Sequence, residues 1–178
     1  MTYGINVGGT IFVLVSLFGI YSLGFSDTII DQILPAPNSD LIAQEIFNLT
    51  NQERQTEGLN PLIWDDSLAS IARLHSEDMF KRDFFGHYNP NNESPTDRAK
   101  AKGIPVTNGM WVGIGENIVL MPTGNVERCL NIGIARCSVN AWMNSEGHRE
   151  NILNKNYDVI GVGVYCTKTT CWETQDFR

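Results

Sequence analysis

No run of lysine and arginine occurs in this chain, and its charge balance is acidic, with 13 basic against 20 acidic side chains and a formal charge of −7. Nucleic-acid binding draws on clustered cations that neutralise phosphates, so a nucleic acid is not an expected partner. Histidine is scarce, at three residues: His75, His87 and His148. The sequence contains no H-E-x-x-H helix, no G-x-S-x-G elbow and no G-x-x-x-x-G-K loop. The usual marks of a helix-borne zinc protease, a serine hydrolase and a phosphate-cradling protein are therefore missing. Cysteine is limited to four residues, late and in two close pairs, Cys129 with Cys137 and Cys166 with Cys171. Neither pair has the C-x₂-C spacing of a zinc ribbon. Two short-loop disulfides are the simpler reading, with four reduced core thiols as the alternative. Disulfides would leave no thiolate nucleophile and would require an oxidising compartment.

Charge is also absent from "GINVGGTIFVLVSLFGIYSLGF", Gly4–Phe25. As a helix this stretch spans ~33 Å, enough to cross a hydrocarbon core. A basic n-region is lacking beyond the α-amino group, which argues against a plain signal peptide. The small-x-small run Ser22-Leu23-Gly24 keeps cleavage open as an alternative. The expectation is a transmembrane helix with the body outside, or a secreted body if the segment is cleaved. Residues 1–28 are read as the anchor or signal segment and 29–39, with "ILPAPNSD", as a proline-containing linker. Residues 40–178 are read as one domain, since a chain this long and 42% hydrophobic fills one core but hardly two.

Within that domain, Asp40 is placed to cap a helix running to about Glu57, with Ile42, Ile46 and Leu49 on one face. Gly58 ends it. Asp65–Ser67 can cap a second helix whose stripe is Leu68, Ile71, Ala72, His75 and Met79, so His75 points where apolar residues point. A short helix follows over Thr96–Lys102, with Pro95 at its start and Gly103 at its end. A further helix is expected over about Val126–Met143. "YDVIGVGVYCT" and "CWETQDF" are β-rich runs around a Cys-closed turn, a hairpin signal.

The remaining question is whether the three histidines and the oddest acids, Glu116 and Glu146, form a site. Two imidazoles and a carboxylate suffice as a first shell for zinc, or as a general acid–base set. By spacing alone, each histidine could equally satisfy a local backbone group. The ordered motifs "NQER…GLNPLIWDDSLASIARLHSEDM", "FGHYNP", "GENI", "WMNSEGHRENIL", "IGVGVY" and "ETQDF" decide the weighting. Together, from about Leu41 to Phe177, they resemble the CAP superfamily of cysteine-rich secretory, antigen 5 and pathogenesis-related proteins, in its prokaryotic SCP-like extracellular branch.

The resemblance implies an α+β fold, an α-β-α sandwich around a small central antiparallel sheet. It implies a surface cleft with His87, Glu116 and His148, where Ser145 and Gly147 allow a tight turn aiming His148 at the Glu116 loop. Glu146 is carried along as the second glutamate, although related sequences often have proline there. His75 lines or supports the cleft. Members are implicated in binding lipids, sterols, proteins and divalent metals, and many have no established catalysis. The expected function is thus a tethered or secreted ligand-binding module whose His87 and His148 can bind a divalent metal, Zn²⁺ above all, with no organic cofactor. The alternative is a metal-dependent extracellular hydrolase or peptidase using the same cleft. A further possibility is a surface domain with a vestigial cleft.

Overall fold

The computed structural model describes residues 11–13, 21–23, 35–108, 111–123, 129 and 133–178. It divides into two compact units, residues 1–36 and 37–178. In the first, β1 (Ile11–Val13) pairs antiparallel with β2 (Tyr21–Leu23). The membrane-spanning helix expected over Gly4–Phe25 otherwise lies outside the described residues. The six of its residues that are described are extended rather than helical. Among the described residues no helix is long and apolar enough to cross a membrane.

The second unit begins with α1 (Ser39–Thr56). Its cap is Asn38 rather than the expected Asp40: the Asn38 Oδ1 accepts from the backbone N–H of Asp40 and Leu41 at 3.0 and 3.1 Å. Asp40 instead sits in the first turn, where its charge suits the helix dipole. Gly58, with φ of +73°, turns the chain away after the helix. The strand β3 (Ile63–Trp64) leads into α2 (Asp66–Lys81), capped as expected by Asp65. All five members of the α2 stripe are buried. Ser94 and Asp97 form a reciprocal capping box at the start of α3 (Pro95–Ala101).

After the short pair β4 (Thr107–Asn108) and β5 (Trp111–Val112) comes β6 (Gly115–Pro122). The helix expected over Val126–Met143 is described as α4 (Ile134–Met143), with Gly133 as its N-cap; most of residues 124–132 lie outside the described ones. The stretch expected to form a tight turn at Ser145–Gly147 is instead the first turn of a helix, α5 (Glu146–Ile152), with Ser145 as N-cap. The hairpin of β7 (Val159–Cys166) and β8 (Thr170–Phe177) forms as expected and is closed by the Cys166–Cys171 disulfide. Cys129 is joined to Cys137. The described residues contain no free cysteine.

The sheet order is β3-β7-β8-β6. It is mixed, not wholly antiparallel, because the two residues of β3 run parallel to Val159–Ile160 of β7. One face is covered by α2, which packs so closely that a Cβ on Gly161 or Gly163 of β7 would collide with its backbone at Ala69 and Arg73. That approach is why "IGVGV" alternates glycine with large apolar residues. The other face carries the main core, where Ile46, Leu49, Val139, Trp142 and Ile152 pack against Ile160, Val162, Val164 and Phe177. Buried Arg54 ties the end of α1 to that layer, donating to the carbonyls of Asn60, Ile152 and Asn154 at 2.7–2.9 Å. At the outer edge of β6, the Glu116 and Ile118 carbonyls accept from Asn151 Nδ2 at 3.2 Å and Trp142 Nε1 at 3.1 Å. These bonds blunt an edge that would otherwise pair with another strand.

Candidate functional site

The first residues of β6 build the site. Alternation along the strand sends Glu116 to the α2 face and Asn117 to the opposite one. Asn117 Nδ2 donates to the His148 carbonyl at 3.0 Å and to Gln175 Oε1 at 3.1 Å, while its Oδ1 accepts from Asn151 at 2.9 Å. This amide knot fastens α5, and with it the backbone of His148, to the strand that carries Glu116.

Glu116 is nearly closed to solvent, its side chain 2% exposed. One of its oxygens accepts from His87 Nδ1 at 2.7 Å, and the other forms a short ion pair with Arg98. His75 Nε2 lies 3.8 Å from that second oxygen and donates to the Gly86 carbonyl at 3.0 Å. Arg98 also fixes the His87 loop, donating to the carbonyls of His87 and Glu93 at 2.8 and 3.1 Å. His87 thus presents its Nδ1–H to a buried carboxylate while 46% of its side chain stays exposed. A carboxylate behind an imidazole fixes the tautomer and leaves the Nε2 lone pair for a ligand.

His148 is half-buried in the first turn of α5, its Nδ1 within 2.9 Å of Ser145 Oγ. Burial, and then repulsion from His87, lower its pKa. Burial likewise lowers the pKa of His75, more than the neighbouring Glu116 raises it. A neutral His75 donating through Nε2 leaves Nδ1 without a partner, as found.

The structure therefore brings His75, His87 and Glu116 into one contact network, with His148 beside it. Glu146 is not part of that network: it is exposed at the start of α5, and no hydrogen bond or ion pair links it to the others. Three further members were not singled out in the sequence. Asn117 stands next to Glu116 in "GENI", and Asn151 follows His148 in "HRENIL", so the motifs did mark their places. Arg98 sits in a polar helix with nothing local to distinguish it. Asp176 is a fourth addition, fully buried and directly opposite Glu116 in the β6–β8 register. Burial, reinforced by the Glu116 charge, raises its pKa well above the ordinary aspartate value, which favours the protonated acid. His75 and Arg98 also line a recess of about 290 Å³ with Asp78, Arg82, Asn89, Asn91 and Glu93, large enough for a small polar group.

The donor set fits a metal only in part. His87 and His148 each engage a side chain through Nδ1, and His87 has the carboxylate backing typical of a metal-bound histidine. Among the described residues, however, no group of three or more His, Cys, Asp or Glu side chains is placed to hold a metal ion.

Comparison with known proteins agrees with this architecture. The chain is 41% identical over 143 residues to YkwD of Bacillus subtilis, which covers 80% of this chain and 49% of YkwD. It is 35% identical over 121 residues to the membrane protein YlbC of the same organism, covering 68% of this chain and 31% of YlbC. The chain thus spans half or less of the length of these relatives. Among solved structures, an extracellular SCP-domain protein of Bacillus anthracis matches with a TM-score of 0.65 at 29% identity, over 90% of this chain and 46% of that one. Residues 47–175 match the cysteine-rich secretory protein family, CAP, and the chain belongs to that family.

Proposed function

We propose that the protein is a membrane-tethered extracellular binding module, whose cleft offers the imidazoles of His87 and His148 to a ligand or a divalent cation. The observation that carries this reading is the state of Glu116. Its two oxygens are engaged by His87 and Arg98 and its side chain is 2% exposed. A general base must reach the proton it removes, and Glu116 reaches only its own partners. It therefore orients His87 and does not activate water. Glu146, the other carboxylate considered for that task, stands apart from the network. A hydrolytic centre that relied on one of these carboxylates to activate water would thus lack it, which is why binding is preferred over peptidase activity.

Tethering is supported by the charge-free stretch Gly4–Phe25 and by the likeness to the membrane protein YlbC. A zinc ion would take His87 and His148 as its two protein ligands, with the remaining positions left to water or to a bound molecule. The metal would supply Lewis acidity, and the protein would supply orientation through Glu116 and Asn117.

Titration calorimetry with zinc chloride on the full chain tests the cleft. His87→Ala and His148→Ala should each weaken zinc binding more than tenfold. His75→Ala should bind zinc normally but melt earlier. Affinity should fall as pH drops far enough to protonate an imidazole ligand, a point that burial moves below the ordinary histidine value for His148. An absence of wild-type binding, or loss in His75→Ala alone, would overturn the assignment. Cleavage of a peptide library that stops on adding chelator would favour the hydrolase.

A further inference from the structure

The end of the sheet away from Glu116 carries an aromatic surface unconnected with the cleft. Tyr165 of β7 and Trp172 of β8 are cross-strand partners, and Leu120 of β6 lies opposite Trp172. The strand register places all three on the α2 face. Phe80, in the last turn of α2, stacks on Tyr165 with ring centroids 5.0 Å apart and meets Trp172 edge-on at 5.1 Å. Phe80 and Leu120 each remain 38% exposed, and Tyr165 and Trp172 are only partly covered. The Cys166–Cys171 disulfide closes the hairpin just beyond them, which fixes the aromatic pair on a stiff support. Contiguous exposed apolar side chains on a small domain mark a contact surface.

A second observation identifies what this surface meets. The chain enters the folded unit at this same end: Ser39 Oγ accepts from the Cys166 backbone N–H at 3.2 Å. Upstream of Ser39 lie the prolines Pro35 and Pro37 and then the charge-free Gly4–Phe25. Residues 26–38 span at most about 45 Å when fully extended. A tether attached here joins the domain at the same end as the aromatic surface. Tryptophan and tyrosine are the side chains that settle at a membrane–water boundary, with an apolar body and a polar tip. The net charge of −7 and the absence of any basic run exclude docking driven by anionic lipid.

We propose that Phe80, Leu120, Tyr165 and Trp172 seat in the headgroup boundary of the bilayer that anchors the chain. This rests on the tethered reading above. Docking in this way orients the cleft, because Glu116 is four residues from Leu120 along β6, or ~13 Å. The imidazoles then stand at a set height over the lipid surface and do not swing on a loose linker.

The test uses the full chain reconstituted in phosphatidylcholine vesicles, with doxyl-labelled lipid quenching tryptophan fluorescence. Wild type should float with the vesicles and be quenched more by a shallow label than by a deep one. Trp172→Phe should float equally but lose most of that quenching, at least threefold. Leu120→Asp, at an exposed position, should float, keep its near-ultraviolet circular dichroism and lose a similar share. Flotation with no quenching attributable to Trp172, or quenching indifferent to Leu120→Asp, would overturn the docking and leave the tether standing. Failure of the wild type to float would remove the tether, and the docking with it.

Discussion

Glu173 is fully buried on β8, between Val119 of β6 and Val164 of β7, and among the described residues it forms no ion pair. Burial pushes its pKa up to about 8, opposed by the Ser138 hydroxyl. That help is small, since Ser138 already donates to the Ile134 carbonyl at 3.0 Å and neither Glu173 oxygen has a hydrogen-bond partner. The sign follows from linkage. Below pH 4.5 the acid is protonated in both folded and unfolded chains, and its titration costs nothing. Between 4.5 and about 8 only the unfolded chain ionises, so stability falls as pH rises. At pH 7 the loss is on the order of 3 kcal/mol. Glu173→Gln, which mimics the protonated acid, should therefore gain about 2–3 kcal/mol at pH 7 and nothing at pH 4. Urea midpoints at the two pH values check this, and an equal gain at both would mean that charge is not the cause. At this scale the sequence was partly legible. The stripe on α2 located His75 correctly as an inward-facing residue. The motifs marked His87 and Glu116. Arg98 and Asp176 were not legible, because what makes them unusual is a partner far away in sequence: Arg98 meets Glu116 18 residues on, and Asp176 faces it across a strand pair.

Helix α2 lies directly on the backbone of β7, and two glycines make that approach possible. Gly163 would place a Cβ against the main chain at Ala72 and Arg73, which has no flexible end to move aside. Gly163→Ala should thus force α2 off the sheet and cost about 3 kcal/mol or more, at the upper end of overpacking effects. Thermal unfolding measures it. A change under about 1 kcal/mol would mean that the helix shifts freely, contrary to the close packing of α2 on this face. The elements that the sequence identified were those with enough periodic apolar residues to show a face, namely α1, α2 and the β7–β8 hairpin. Helix α5 is not legible as a helix, because seven mostly polar residues with Ile152 as the one buried side chain show no period. The parallel pairing of β3 was missed for a different reason. It joins Ile63–Trp64 to residues near 160, and no local signal encodes a contact across that separation.

The folded unit of residues 37–178 holds two disulfides, and both close short loops, with sequence separations of 8 and 5. Neither bridge joins distant parts of the fold. Helix α5 is held to β6 by the amides of Asn117 and Asn151, and the His87 loop by Arg98. Cleft geometry should therefore survive reduction while stability does not. Loops of this size restrict the unfolded chain by about 2–3 kcal/mol each in the chain-entropy account, or about 5 kcal/mol together. Domains of this size are typically stable by only 5–15 kcal/mol. Reduction would thus remove a third or more of the total, which suits a protein folded and kept in an oxidising, extracellular setting. Urea unfolding with and without reductant, with thiol titration to show that both bridges have opened, should reveal a loss near that sum. The reduced native state should meanwhile keep the amide-exchange protection of β6. An unchanged midpoint with four titratable thiols would show that the bridges contribute nothing. Loss of β6 protection before global unfolding would show that the Cys129–Cys137 loop, and not the amide knot, holds the cleft.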